Sequence, residues 1–254
     1  MKEHGKVRYP KLDIIRGICL ISMILYHTVW DLVYIYELNW GWYRSVGSFV
    51  WQQSICWTFI LLAGFCVPLS SQPIRRGVIV FGAGALITAV TLILMPGQRI
   101  VFGVLTLLGS CMILVGIWDK VLRQWMAKIP AWTGMFGNFL LFAFTYSVND
   151  RFVGFFGARL MDMPDGIYRN YFTTYLGFPY RGFFSTDYFA LIPWMFLFLT
   201  GYFAHFVVMN SGVKAFFEKG NNKVLSVIGK HSLVIYMLHQ PVVYGVLWLV
   251  FNAS

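Results

Sequence analysis

Long apolar runs separated by short polar connections set the pattern of this chain. Seven stretches, at 12–36, 48–70, 77–95, 100–117, 133–147, 188–209 and 226–251, are predominantly apolar. Most approach the roughly 20 residues that a helix needs to cross a bilayer. They predict an all-α, polytopic integral membrane bundle of about seven transmembrane helices. The fifth stretch is short and carries Asn138. Pro96-Gly97 predicts a tight turn that joins the third and fourth helices as a hairpin. The first apolar run is too long for a signal-peptide core and lacks a small-x-small cleavage site, so the first helix is expected to be retained. Neither a fixed-period repeat nor a low-complexity tract interrupts the pattern.

Composition strengthens this picture. The 254 residues are 58% hydrophobic, 19% aromatic and 12% charged, with a mean hydropathy of +0.66. A soluble domain carries about 25% charged residues, and the deficit fits a fold whose outside faces lipid. One transmembrane domain over 1–254 accounts for the whole chain. The net charge of +10 is spread beside the apolar runs, which argues for topology and anionic lipid rather than nucleic acid. With the basic start (Lys2, Lys6, Arg8, Lys11) in the cytoplasm, fourteen of the 20 lysines and arginines, Arg123 among them, fall on that side and six on the other. The positive-inside bias therefore predicts a cytoplasmic N-terminus, an outside C-terminus and a multi-pass protein of the cell membrane. Cys19, Cys56, Cys66 and Cys111 all lie inside apolar runs without a CxxC, as small buried hydrophobes rather than disulfides or metal ligands.

Residues 148–187 form an extracytoplasmic loop far longer than the others, mixing Arg and Asp with aromatic stretches. Such a segment suits an interfacial lid or a short re-entrant element, or else an amphipathic surface segment resting on headgroups. Ionisable residues inside the spans are costly, so each is a candidate for function. On the first helix, Asp13, Arg16, Leu20, Met23, His27 and Asp31 share one stripe at helical spacing. Arg16 and His27 are three turns apart, roughly 16 Å along the axis. His27 and Asp31, at i and i+4, are spaced to touch, a pairing in which a carboxylate fixes the imidazole tautomer and raises its basicity. The plainer alternative is a histidine that bonds a neighbouring helix and an aspartate that snorkels outward. The last helix sets Ser232, Tyr236 and His239 on one face, followed by Gln240-Pro241, where the proline frees a backbone carbonyl near Met237. No P-loop, GxSxG elbow or HExxH metal motif is present.

The run at 9–32, YPKLDIIRGICLISMILYHTVWDL, resembles the opening helix of the heparan-α-glucosaminide N-acetyltransferase catalytic-domain family, a group of transmembrane acetyltransferases. WTFILLAGFCVPLS, IVFGVLTLLGS, GFPYRGFFSTDYFALIPWMFLFLTGYF and GKHSLVIYMLHQP extend the resemblance in order across most of the chain. The resemblance implies that acetyl-CoA enters from the cytoplasm and that its acetyl group is used near the opposite face. Arg16 matches the arginine of the family's Leu-Asp-x-x-Arg-Gly motif, and His27 matches the polar position associated with catalysis. Thr106 stands where many bacterial relatives carry a histidine, so any role of that histidine is absent.

These readings combine into one expectation: an acetyl-CoA-dependent enzyme that acetylates an amine or hydroxyl of an extracytoplasmic glycan, without a metal. His27 is the general base, with Asp31 orienting it, and His239 is a further catalytic candidate that would line the cavity with Tyr236 and stabilise the oxyanion. Arg16, Arg75, Arg76 and Tyr236 are the expected acetyl-CoA contacts, and Arg181 and Asp187 the acceptor contacts. Membrane lipid is an expected partner, nucleic acid is not, and a homodimer is left open. The alternatives are a proton-coupled transporter or permease, whose usual inverted repeats are missing here, and a non-catalytic membrane subunit.

Overall fold

The computed structural model describes residues 9–121, 128–220 and 222–252. Lys2, Lys6, Arg8 and Arg123, on which part of the charge asymmetry rests, lie outside them. The chain is an all-α polytopic membrane protein, and six helices among the described residues are long and apolar enough to cross a bilayer. They are α1 (Pro10–Tyr34), α2 (Val46–Cys66), α3 (Pro73–Leu94), α4 (Val104–Val121), α7 (Leu191–Met209) and α10 (Ser232–Asn252). Between them lie α5 (Ala131–Thr145), α6 (Tyr171–Leu176), α8 (Lys214–Glu218) and α9 (Lys223–Lys230).

Of the seven expected spans, the fifth is as short as its stretch of sequence and the last is divided. The fifth, α5, has 15 residues and rises about 22 Å, short of a hydrocarbon core of about 30 Å. Asn138 turns its amide back onto the Gly134 carbonyl at 2.7 Å, a bond that needs no neighbouring helix. The last stretch divides at His231 into α9 and α10. The break falls at the short polar run Lys230-His231-Ser232, which the apolar residues on either side outweigh over a span-length window. All four cysteines are free.

By contact the chain divides into two compact units. The first comprises Met1–Phe59 with Val208–Ser254. Here α1 begins at a proline in its first turn, where the missing N–H is unneeded, with Asp13 favourable to the helix dipole. Its buried face places Cys19, Leu20 and Met23 against Ile55 of α2, with Tyr236 and Phe59 packed alongside. Helix α9 crosses α1 at backbone contact. A Cβ on Gly229 would overlap the Asp13 carbonyl, and one on Gly17 the Leu225 carbonyl.

The second unit, Ile60–Val207, holds the α3–α4 hairpin, α5 and most of α7. Gly109 lies on the Phe81 backbone, and Gly64 of α2 and Gly201 of α7 approach the Phe198 and Leu61 carbonyls. Small residues allow this closeness, from which apolar helices gain their packing in lipid. The long connection at 148–187 is ordered. Strands β1 (Phe152–Phe155) and β2 (Ala158–Asp162) pair antiparallel, Phe152 opposite Asp162. Phe156 and Gly157 turn between them, both at positive φ. The end of the connection is pinned to the start of α4. Thr186 and Phe189 donate N–H groups to the carbonyls of Arg99 and Phe102, and the Val104 N–H donates to Asp187 Oδ2 at 3.2 Å. Asp187 thereby caps α4 from 83 residues away.

Two outcomes are expected. Gly64→Ala should lower stability by about 1–3 kcal/mol through overpacking, whereas Gly82→Ala, with open space around its Cβ, should not; thermal melting in detergent distinguishes them. The half-buried Asp187 carboxyl is pushed up to about 6, chiefly by burial, with the Val104 N–H opposing. A carboxyl that holds its proton more tightly when folded contributes its stability below its ordinary value of 3.8 and loses it as pH rises through about 6. The melting midpoint of Asp187→Asn, which keeps a carbonyl acceptor, should therefore lack the part of the decline between pH 4 and 6 that wild type shows.

Candidate functional site

The intramembrane polar residues of the first unit converge where α10 lies along α1. Three turns above Arg16, the His27 ring meets the His239 ring at 4.9 Å between centroids and 57° between planes. Tyr26 presents an edge to His27 at 6.0 Å. Tyr236 lies 5.4 Å from His239 and packs against Phe59.

Asp31, one turn beyond His27, is 0% exposed. Its Oδ1 accepts a hydrogen bond from Gln240 Nε2 at 2.7 Å. The expected pairing with His27 is thus replaced by a bond to α10: both residues lie on the α1 stripe, but the carboxyl is aimed at Gln240. A buried carboxyl in an apolar setting demands a donor, and the side-chain amide supplies one. His239 Nδ1–H donates to the Tyr236 carbonyl. In the neutral ring this leaves the lone pair on Nε2. Pro241 sits inside α10, which continues through it, and the carbonyl taken up by His239 is that of Tyr236, next to the expected Met237.

Three acceptor atoms end in this cluster, buried and without a hydrogen-bond partner among the described residues: Asp31 Oδ2, His239 Nε2 and Gln240 Oε1. Such atoms are costly to bury, and together they suit a ligand that brings N–H or O–H groups. The Tyr43 hydroxyl, from the turn that follows α1, is unpartnered in the same way, and its ring packs on Tyr26 and Tyr34. Burial raises the phenol far above its ordinary value, with Tyr26, Tyr34 and Asp31 adding to the shift.

Arg16 lies below, ion-paired with Asp13 at 3.3 Å and within 3.5 Å of the Gly229 carbonyl, to which it donates. The remaining expected residues belong to the second unit. Arg75 and Arg76 are exposed in the first turn of α3, Arg75 donating to Gln72 at 3.2 Å. Arg181 pairs with Asp165 at 3.3 Å, a carboxylate that also binds Arg151, and Asp187 caps α4. Thr106 is buried on α4, against Gly84 of α3.

Four of the expected residues, His27, Asp31, His239 and Tyr236, are thus brought together. Gln240 and Tyr43 join them without having been singled out. Gln240 carried a usable signal, an amide inside an apolar helix beside a histidine. Tyr43, in a connection full of aromatic residues, carried none.

No curated protein and no solved structure matches the chain. The family model described as heparan-alpha-glucosaminide N-acetyltransferase, catalytic, matches residues 8–241 and so includes α1 and the first part of α10, with His239 and Gln240. A span of that extent leaves only the two ends unmatched, and the chain belongs to the heparan-alpha-glucosaminide N-acetyltransferase catalytic family of membrane acetyltransferases.

Proposed function

We propose that this protein is a multi-pass acetyltransferase of the cell membrane. In this reading it takes an acetyl group from cytoplasmic acetyl-CoA and transfers it to an amine or hydroxyl of an extracytoplasmic glycan. The observation that carries the reading is the meeting of His27 and His239 beside buried, unpartnered acceptor atoms, in a chain of this family. Acetyl-CoA supplies the activated acyl group as a thioester. The chain's own residues bind, orient and move a proton.

His27 removes the proton of the attacking amine or hydroxyl as the new bond to the acetyl carbon forms. The carbon–sulfur bond breaks, and the proton passes to the departing thiolate. His239 faces His27 and stabilises the oxyanion with Tyr236, when its Nε2 carries a proton. Asp31, held by Gln240, helps to anchor α10 against the base and offers its second oxygen to an N–H or O–H of the acceptor. Arg16 meets cofactor phosphates, and its offset of roughly 16 Å from His27 is comparable with an extended pantetheine arm. A guanidinium suits that task because its donor fork matches a phosphate. Arg75 and Arg76 are secondary candidates for the same charge, and Arg181 and Asp187, from the second unit, are weaker candidates for the acceptor, since both already have partners. The cytoplasmic N-terminus and the outside position of the C-terminus belong to the same proposal.

Three variants test it. His27→Ala should lower acetyl transfer by about 10²–10⁴-fold with acetyl-CoA binding retained, measured as product formation and calorimetric affinity on the same purified sample; full activity would end the reading. Arg16→Ala should weaken acetyl-CoA binding and leave the acceptor KM unchanged. Gln240→Leu, which strips Asp31 of its donor, should cost about 1–3 kcal/mol of stability, read as a lowered melting midpoint.

A further inference from the structure

Beyond Asp31 the chain leaves α1 through a built turn. Tyr36 donates its N–H to the Asp31 carbonyl, Leu38 to Leu32, and Tyr43 to Trp40, while Glu37 adopts a positive φ of 55°. Tyr43 is buried beneath and anchors the turn through Tyr26 and Tyr34. The result is a cleft of about 420 Å³, with Tyr34, Glu37, Asn39, Trp40 and Arg44 in its wall.

Its chemistry is specific. Tyr34 and Trp40 offer ring surface, at 49% and 38% exposure, and Trp42 stacks on Trp40 at 6.4 Å and 26°. Glu37 is an acceptor, Arg44 a donor and Asn39 both. All three are exposed, and none has a hydrogen bond or ion pair among the described residues. Glu37 and Arg44 cancel in charge, so a polyanion gains no net attraction, and neither does a cation. A pyranose ring suits the set: its C–H face lies on an aromatic plane and its hydroxyl rim both donates and accepts. Aromatic residues placed only to sit at a lipid interface need no such free polar groups around a concavity.

Position adds a second constraint. Tyr34 is seven residues after His27, two turns along and within about 20° of the same stripe, hence roughly 10 Å further out. That span exceeds one sugar ring. We propose that the cleft binds an uncharged or zwitterionic sugar ring that does not itself react, so that the chain selects an oligosaccharide or glycoconjugate over a monosaccharide. Binding of the ring stands on the cleft alone; its role as part of the acceptor rests on the transferase reading above.

The test is saturation-transfer NMR on the whole protein in phosphatidylcholine nanodiscs, without acetyl-CoA, using N,N′,N″-triacetylchitotriose as probe. A sulfated heparin tetrasaccharide and dihexanoylphosphatidylcholine are run beside it. The expected result is saturation of the trisaccharide ring protons, with affinity falling at least about tenfold in Trp40→Ala, falling also in Asn39→Ala, and unchanged in Trp132→Ala. Melting curves establish that each variant is folded. The proposal is overturned by absence of trisaccharide binding, by equal affinity in Trp40→Ala and Asn39→Ala, or by preference for the sulfated probe. A Trp40-dependent signal from the short-chain lipid in place of the sugar overturns it too and makes the cleft a headgroup site. Acetyl-CoA calorimetry on the same samples separates the two readings. Loss of acetyl-CoA binding with trisaccharide binding intact removes the transferase and leaves the cleft; the reverse removes the cleft and leaves the transferase.

Discussion

A carboxyl with no exposed surface, on a helix long enough to span a membrane, has few acceptable fates. Asp31 finds its donor in Gln240 at 2.7 Å, and the polar interior of the first unit is organised around that bond. Lipid offers no substitute partner, so displacing α10 from α1 would strand both side chains. His239 precedes Gln240 in sequence and is therefore carried to His27 by the same contact. The hydrogen bond fixes position along the helices, and the glycine contacts fix closeness. Gly17 and Gly229 let α9 lie on the α1 backbone, which places the Gly229 carbonyl within reach of Arg16. Packing and the polar side chains thus share one helix, with the His27 imidazole near one end and the Arg16 guanidinium near the other.

The charges of the second unit also do structural work. Asp187, an expected acceptor contact, also receives the first N–H of α4, and Arg181 pairs with Asp165. A loop of some 40 residues between apolar helices must satisfy its own backbone and the exposed ends of the helices it joins. The charged residues of 148–187 serve largely that end: Arg151 lies over the Tyr168 ring at 4.7 Å, and the Tyr168 hydroxyl donates to the Val148 carbonyl at 2.6 Å. An ionisable residue outside the hydrocarbon is consequently weaker evidence of chemistry than one within it.

That contrast explains what was legible in the sequence. Apolar runs located the long helices because lipid imposes a length and a composition that soluble packing does not. The same signal gave α5 its short length, and it ran through the break at His231, whose polar marks are confined to Lys230, His231 and Ser232. The stripe of Arg16, His27 and Asp31 was readable from helical spacing alone. The partner of Asp31 was not, because i,i+4 arithmetic sees only its own helix, and a donor 209 residues away belongs to tertiary structure. His239 and Tyr236 were placed correctly on one face of α10, but nothing in their spacing says which helix that face meets.

The distribution of unpartnered polar atoms bears on the direction of transfer. Along α1 the guanidinium of Arg16 comes first, with carboxylate and carbonyl partners at 3.3 and 3.5 Å. Asp31 Oδ2, His239 Nε2 and Gln240 Oε1 follow, with no hydrogen-bond donor among the described residues. The free polar side chains of the 33–44 turn come last. An anionic ligand is favoured at the first station, a donor-bearing group at the second and a neutral, hydroxyl-rich surface at the third. A substrate pair that meets at His27 from opposite ends of one helix satisfies all three in order, whereas a solute passing along the same path would have to suit each of these unlike environments in turn. The gradation of chemistry therefore favours a meeting of two molecules over the passage of one.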